Sequence, residues 1–215
     1  IVPFAWMLPL VREFDALNTG TRLKFIEEIL GGVWDAVIDH RADLAVGAPG
    51  DAPEGHELLT QDWIDLEPFV FAVAPTHPLA EATEPLSMSA IGKHRVVVVS
   101  DSSRHLQGRT VGVQAAQDTL NVPTLAAKIA AQVAGLGGGN VPRHMAAEHI
   151  QAGRWVVKRT EIARSRGTLK LAWRPGQDGK ALAWFRERIL SAGQQNHRAG
   201  VCDPTQSEVA PPPAP

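Results

Sequence analysis

Along the first fifty residues the apolar positions change period from one segment to the next, and this alternation limits the fold more than any single motif. From Ala5 to Leu17, the residues Trp6, Met7, Leu10, Val11, Phe14 and Leu17 form a helical stripe, and Asn18, Thr19 and Gly20 end it. From Thr21 to Glu27, polar Arg22 and Lys24 alternate with apolar Leu23 and Phe25, the pattern of a strand with one buried face. Helical spacing returns from Gly31 to His40 through Val33 and Val37. Ala42 to Gly47, ADLAVG, is then a short apolar run without alternation, as in a strand covered on both faces. Helix, strand, helix, strand in that order predicts an α/β layered fold with parallel strands.

The rest of the chain continues in the same manner. A Pro/Gly/Asp turn from Ala48 to Gly55 precedes two extended runs, Glu57 to Gln61 and Glu67 to Ala74. Ser87 is placed to cap a short helix, and four consecutive valines within Arg95 to Ser100 predict a strand. Short strands are expected at Thr110 to Val113 and Asp118 to Val122, followed by a helix that Pro123 opens and the glycines from Gly135 end. Further elements are a strand closing at Val141 and Pro142, a helix over His144 to Ala152, and strands at Trp155 to Val157 and Thr168 to Trp173. A last helix, capped by Asp178, carries Leu182, Phe185 and Ile189 on one face. From Ser191 the periodicity fades, and the proline-rich end reads as disordered.

Charge excludes one class of activity for these residues. The formal net charge is −2, without a run of like charges, so a nucleic-acid-binding surface is not expected here. No apolar stretch reaches membrane-spanning length, so no membrane partner is expected. The only cysteine, Cys202, can form no internal disulfide and reads as a free thiol, which fits a cytoplasmic protein.

The candidate chemical motifs are weak. AGLGGGN, Ala134 to Asn140, follows a helix and has asparagine at the third glycine position of a dinucleotide loop, so it reads as a helix stop leading into a strand. His144 and His149 are five apart, which splays them around a helix, and no metal or cofactor is expected. Glu27 and Glu28 read as a surface pair. Ser100, Ser102 and Ser103 follow the valine strand. They suit a ligand cleft beyond the strand's carboxyl end better than nucleophilic catalysis, which would need a base such as His105 alongside. An enzyme is not expected.

Four segments in order carry a family resemblance. GGVWDAVIDHRADLAVGAP, LEPFVFAVAPTHPLA, LAAKIAAQVAGLGGGNVPR and GTLKLAWRPG resemble segments of the effector-binding domain of LysR-type transcription regulators. The resemblance implies two Rossmann-like α/β subdomains of the periplasmic-binding-protein type 2 fold, with Glu67 to Ala74 and Thr168 to Trp173 as the crossover strands. Subdomain I would hold residues 1–73 and 170–195, subdomain II residues 74–169, and 196–215 would be a disordered tail. The family's N-terminal winged helix-turn-helix is absent from these residues. So is the strand that precedes the family's first helix, and losing a central strand would leave ladder groups unpaired.

The resemblance also implies a site between the subdomains. The matching positions are Val2, Pro3 and Phe4; Leu30; Ser100 and Ser102; and Gly138, Gly139 and Asn140. Relatives that sense acids often carry hydroxyls at the first two places, whereas Val2, Phe4 and Leu30 favour a weakly polar or aromatic effector. The function implied is small-molecule sensing for a DNA-binding regulator that contacts DNA through the missing domain. A homodimer or homotetramer is implied too, pairing Ala5 to Leu17 of one chain with Pro123 to Val133 of another. A periplasmic solute-binding protein of a transporter is the alternative on the same fold.

Overall fold

The computed structural model describes residues 2–66, 68–162, 167–176 and 179–198, with backbone alone for 194–198. A 3-10 turn at Phe4–Trp6 leads into α1 (Leu8–Ala16), followed by α2 (Gly31–Ile38), β1 (Leu44–Pro49), β2 (Leu59–Asp65) and β3 (Phe69–Val73). Then come α3 (Met88–Gly92), β4 (Val96–Val99), β5 (Thr119–Val122), α4 (Leu125–Val133), β6 (Gly139–Pro142), α5 (Arg143–Gln151) and β7 (Val156–Lys158). The chain returns through β8 (Thr168–Trp173) to α6 (Lys180–Arg198).

The strands form one three-stranded sheet and a second three-stranded sheet to which a two-stranded pair is bridged. In the first, β8 lies between β1 and β2 and is antiparallel to both. β1 and β2 run in the same direction, but the returning strand separates them, so every pairing in this sheet is antiparallel and the parallel pairing expected from the first fifty residues does not occur in it. In the second, β3 lies between β6 and β7, antiparallel to each, while β4 and β5 are parallel. Val97 donates to the Gly138 carbonyl at 2.9 Å and Gly138 to the Arg95 carbonyl at 3.1 Å, which joins β4 to the strand beside it. The neighbouring Gly137 permits that approach: a Cβ there would stand 2.7 Å from the Arg95 carbonyl oxygen.

Strand alternation gives each sheet two packed faces. On one face of β8, Leu171 and Trp173 pack with Met7, Phe14, Trp63, Phe185 and Ile189 beneath α1 and α6. On the other, Ala172 meets Ala45, Ala48, Trp34 and Val37 beneath α2. In the second sheet, Phe71 and Val73 pack with Leu79, Leu86, Ile91, Val96 and Val98, and Ala72 faces Val141, Ala146 and Trp155. Full burial of such a large side chain contributes about 1.5–3 kcal/mol.

Several expectations are corrected. Thr21 to Glu27 forms no strand: it pairs with none among the described residues, and Phe25 and Ile26 are exposed. Its alternation was right for a pleat, but a lone strand has no ladder to stabilise it. Thr110 to Val113 is likewise irregular. Pro123 precedes α4 instead of opening it, and Thr124 is the cap. Among the described residues β3 pairs only in the second sheet and β8 only in the first, and the Pro68 carbonyl already accepts the Arg143 amide at 3.0 Å within the second sheet. α6 runs to Arg198. Asp178, Cys202 and residues 199–215 lie outside the described residues. No described helix is long and apolar enough to cross a membrane.

Candidate functional site

The subdomains meet where the start of α2 faces the loop after β4. β4 consists of four valines, three of them buried, and it delivers the chain to Ser100 beside β5. The carboxyl ends of parallel strands are where open α/β sheets hold ligands. A cavity of about 250 Å³ lies there, lined by Val98, Val99, Ser100, Asp101, Gly108, Arg109, Thr110 and Asn121. Apart from the two valines and Gly108, every lining residue is polar or charged. Arg109 also borders the first subdomain, since a Cβ on Gly50 would stand 3.6 Å from its Nη1.

Asp101 ties this cavity to α2. Its Oδ2 accepts the amides of Gly31 at 3.0 Å and Arg109 at 2.8 Å, and its Oδ1 those of Gly32 at 3.1 Å and Ser103 at 2.8 Å. The glycine pair makes room for the loop. A Cβ on Gly31 would stand 2.9 Å from Asp101 Oδ2, and one on Gly32 only 2.0 Å from Ser102 Oγ.

A second carboxylate works in the opposite direction. Asp35, fully buried in α2, accepts the amides of Arg104 and of His105, the latter at 3.1 Å. Ser102 Oγ accepts the amide of Ile29 at 2.8 Å and donates to Glu28 Oε2 at 2.6 Å, while Glu28 Oε1 pairs with Arg41. Glu28 is thus half-buried in the seam and is not the surface residue expected.

Burial by itself raises both aspartates. At Asp101 the amides of Arg109, Ser103 and Gly31 outweigh it; at Asp35 the amides of Arg104 and His105 do, helped by the charges of His105 and Arg41. Both carboxyls end below the ordinary 3.8. At neutral pH each accepts hydrogen bonds and has no proton to give. The Ser102 hydroxyl is engaged with Glu28, and His105 Nε2 lies 3.4 Å from Asp39, so these two side chains are turned to carboxylates.

The family description "LysR substrate binding domain" matches residues 1–194. The chain belongs to the LysR substrate-binding domain family. Among its relatives, the HTH-type transcriptional regulator YeeY of Escherichia coli, itself uncharacterized, is 35% identical over 189 residues, covering 88% of this chain and 61% of that protein. The chain thus spans about three fifths of that relative's length. Two solved structures share the fold at 16% identity. The regulatory domain of CcmR from Synechocystis in complex with 2-PG matches with a TM-score of 0.63, over 89% of this chain and 93% of that one. The effector-binding domain of QuiR in complex with shikimate matches with a TM-score of 0.64, over 88% and 90%. The LysR domain described here therefore has the periplasmic-binding-protein type 2 fold.

Within this LysR domain the residues singled out from sequence part company. Ser100 lines the seam cavity; Ser102 is beside it, but its hydroxyl is used in binding the two subdomains. Leu30, half-buried, precedes α2 at φ 51°. Val2 packs over β1, where a Cβ on Gly47 would stand 2.6 Å from Val2 Cγ2. Phe4 is exposed and meets Phe25 edge-on at 5.1 Å, and Pro3 starts the 3-10 turn. None of these four lines the cavity. Gly138 and Gly139 are buried where β6 approaches β4, and Asn140 Nδ2 lies 3.7 Å from where a Gly112 Cβ would be. Asp101, Arg109, Thr110 and Asn121 were missed. The available signal was VSDSSR after a valine strand, with its one carboxylate among hydroxyls; the serines were favoured over it.

Proposed function

We propose that this chain is the small-molecule-sensing domain of a LysR-type transcription regulator and that its effector binds in the cavity at the seam. The observation that carries the reading is the cavity's position, at the carboxyl ends of β4 and β5 and against the first subdomain. Its lining supports a small polar effector, in place of the weakly polar or aromatic one expected from Val2, Phe4 and Leu30. Ser100, Thr110 and Asn121 would orient the ligand by hydrogen bonds and Arg109 would face any negative group on it. Ser102, Leu30 and Asn140 would adjust around the bound molecule, whereas Gly138 and Gly139 act through strand packing.

The effector would act by preferring one placement of the two subdomains, since only differential affinity shifts a population. The regulator would be cytoplasmic, would contact DNA through a winged helix-turn-helix beyond these residues and would assemble as a homodimer or homotetramer. The exposed Trp6 before α1, Leu8 within it and Leu17 just after it support the homodimer. A thermal-shift screen of small polar metabolites, followed by calorimetry, tests the site. A stabilising compound should bind Arg109→Ala or Asn121→Ala roughly tenfold more weakly, each loss corresponding to about one charge-assisted or neutral hydrogen bond. Unchanged affinity in both folded variants would remove the cavity from consideration.

A further inference from the structure

Helix α2 has an end that its own sequence leaves open. Leu30 provides no side-chain cap, and the first turn holds no acidic residue. The positive end of a helix, with free amides, is a place for an anion. Here the anion is already present: the Asp101 carboxylate, brought from the opposite subdomain, takes the amides of Gly31 and Gly32. The contact is built for close approach, because a Cβ at either glycine would collide with Asp101 or Ser102. It is also reciprocated, because Asp35 of α2 holds the amides of Arg104 and His105 in the same loop.

We infer that Asp101 is a specificity-determining residue of the cleft: it fills from within the chain the anion position at the start of α2, and so excludes carboxylate-bearing ligands from that end of the site. The inference rests on the proposed effector cavity, whose wall Asp101 shares. A ligand reaching α2 while Asp101 is seated meets a carboxylate whose oxygens are engaged by four amides. A second carboxylate there would face like charge without a free donor. Ligands that are neutral or positively charged at this end are accepted; acidic groups are directed toward Arg109.

The test compares wild type with Asp101→Ala, using sodium acetate as the probe and sodium chloride at equal ionic strength as the control. The readouts are the melting temperature and the amide resonances of Gly31 and Gly32. In Asp101→Ala, about 100 mM acetate should raise the melting temperature by roughly 3 °C more than chloride does, with saturable shifts of both glycine amides. In wild type the Gly31 and Gly32 amides should respond to the two salts alike, since Asp101 holds them and acetate is left to Arg109. If Asp101→Ala does not fold, Asp101→Asn keeps the shape but not the charge, and acetate should displace its weaker amide acceptor with the same resonances moving. Acetate-specific shifts at Gly31 and Gly32 in wild type would overturn the inference. So would their absence from the folded variants. A metabolite screen without a ligand would instead overturn the effector site and leave the acetate result standing.

Discussion

Helices α2 and α4 begin in similar surroundings, yet they are held in different ways. α4 starts at Thr124, whose Oγ1 accepts the Ala127 amide at 3.1 Å, three residues on. α2 starts at Leu30, which has no capping side chain and stands at φ 51°, and its amides go to Asp101, seventy residues beyond Gly31. At its other end, Arg174 Nη1 donates to the carbonyls of Val37 and Ala42, the second at 2.9 Å. α2 thus has an acid at its positive end and a base at its negative end, each from a distant part of the chain. The difference teaches that the α4 cap is a property of one segment, while the α2 cap exists only when the subdomains are together. Anything that moves them apart is felt at α2 first.

The sharpest way to break this contrast is Asp35→Ala. It removes a fully buried acceptor and leaves the amides of Arg104 and His105 without their partner, so urea denaturation should show a loss of about 3 kcal/mol. A loss confined to a few tenths would mean that the loop is not held by α2. Gly32→Ala comes next. In an ordinary helix this change gains about 1 kcal/mol, but a Cβ there would lie 2.0 Å from Ser102 Oγ and 2.8 Å from the Ser102 carbonyl carbon. The sign should reverse, to a loss of about 2 kcal/mol in the same measurement, and a gain would show that the loop yields easily.

Thr124→Ala should cost about 1 kcal/mol. Its effect should stay within the second subdomain: amide exchange at Ala127 should quicken while Gly31 and Gly32 remain as protected as before. Quickened exchange at the two glycines would contradict the idea that the caps are independent. The smallest effect expected is that of acid. The Asp35 and Asp101 carboxyls are depressed, so the stability they contribute is present above the ordinary 3.8 and is lost as pH falls through their lower folded-state values. Acidification below that point, after correction for intrinsic exchange rates, should expose the Gly31 and Gly32 amides. It should leave Ala127 protected, since Thr124 does not titrate. Equal exposure of all three would erase the contrast.

The same local-versus-distant division governs how far the chain could be read in advance. Thr168 to Trp173 was legible as a strand, and the Ser87 cap and the valine strand were legible too, because a period or a cap is decided within a few residues. Thr21 to Glu27 was misread because its alternation describes a face, and a strand also needs a neighbour. The proposed cavity was legible in part. Ser100, singled out at the end of the valine strand, lines it, whereas Val2 packs over β1 and Phe4 against Phe25.

The sequence by itself determined most of the helices and strands, the α/β class and membership of the LysR family, since these follow from periodicity and from motifs read within short windows. Only the tertiary structure decided that β8 lies between β1 and β2, and that Asp101 caps α2 while Asp35 holds the loop in return. A carboxylate has no period and no required spacing from its donors. It binds whichever amides the folded chain brings within about 3 Å of it, and that selection is made by the packing of the two subdomains.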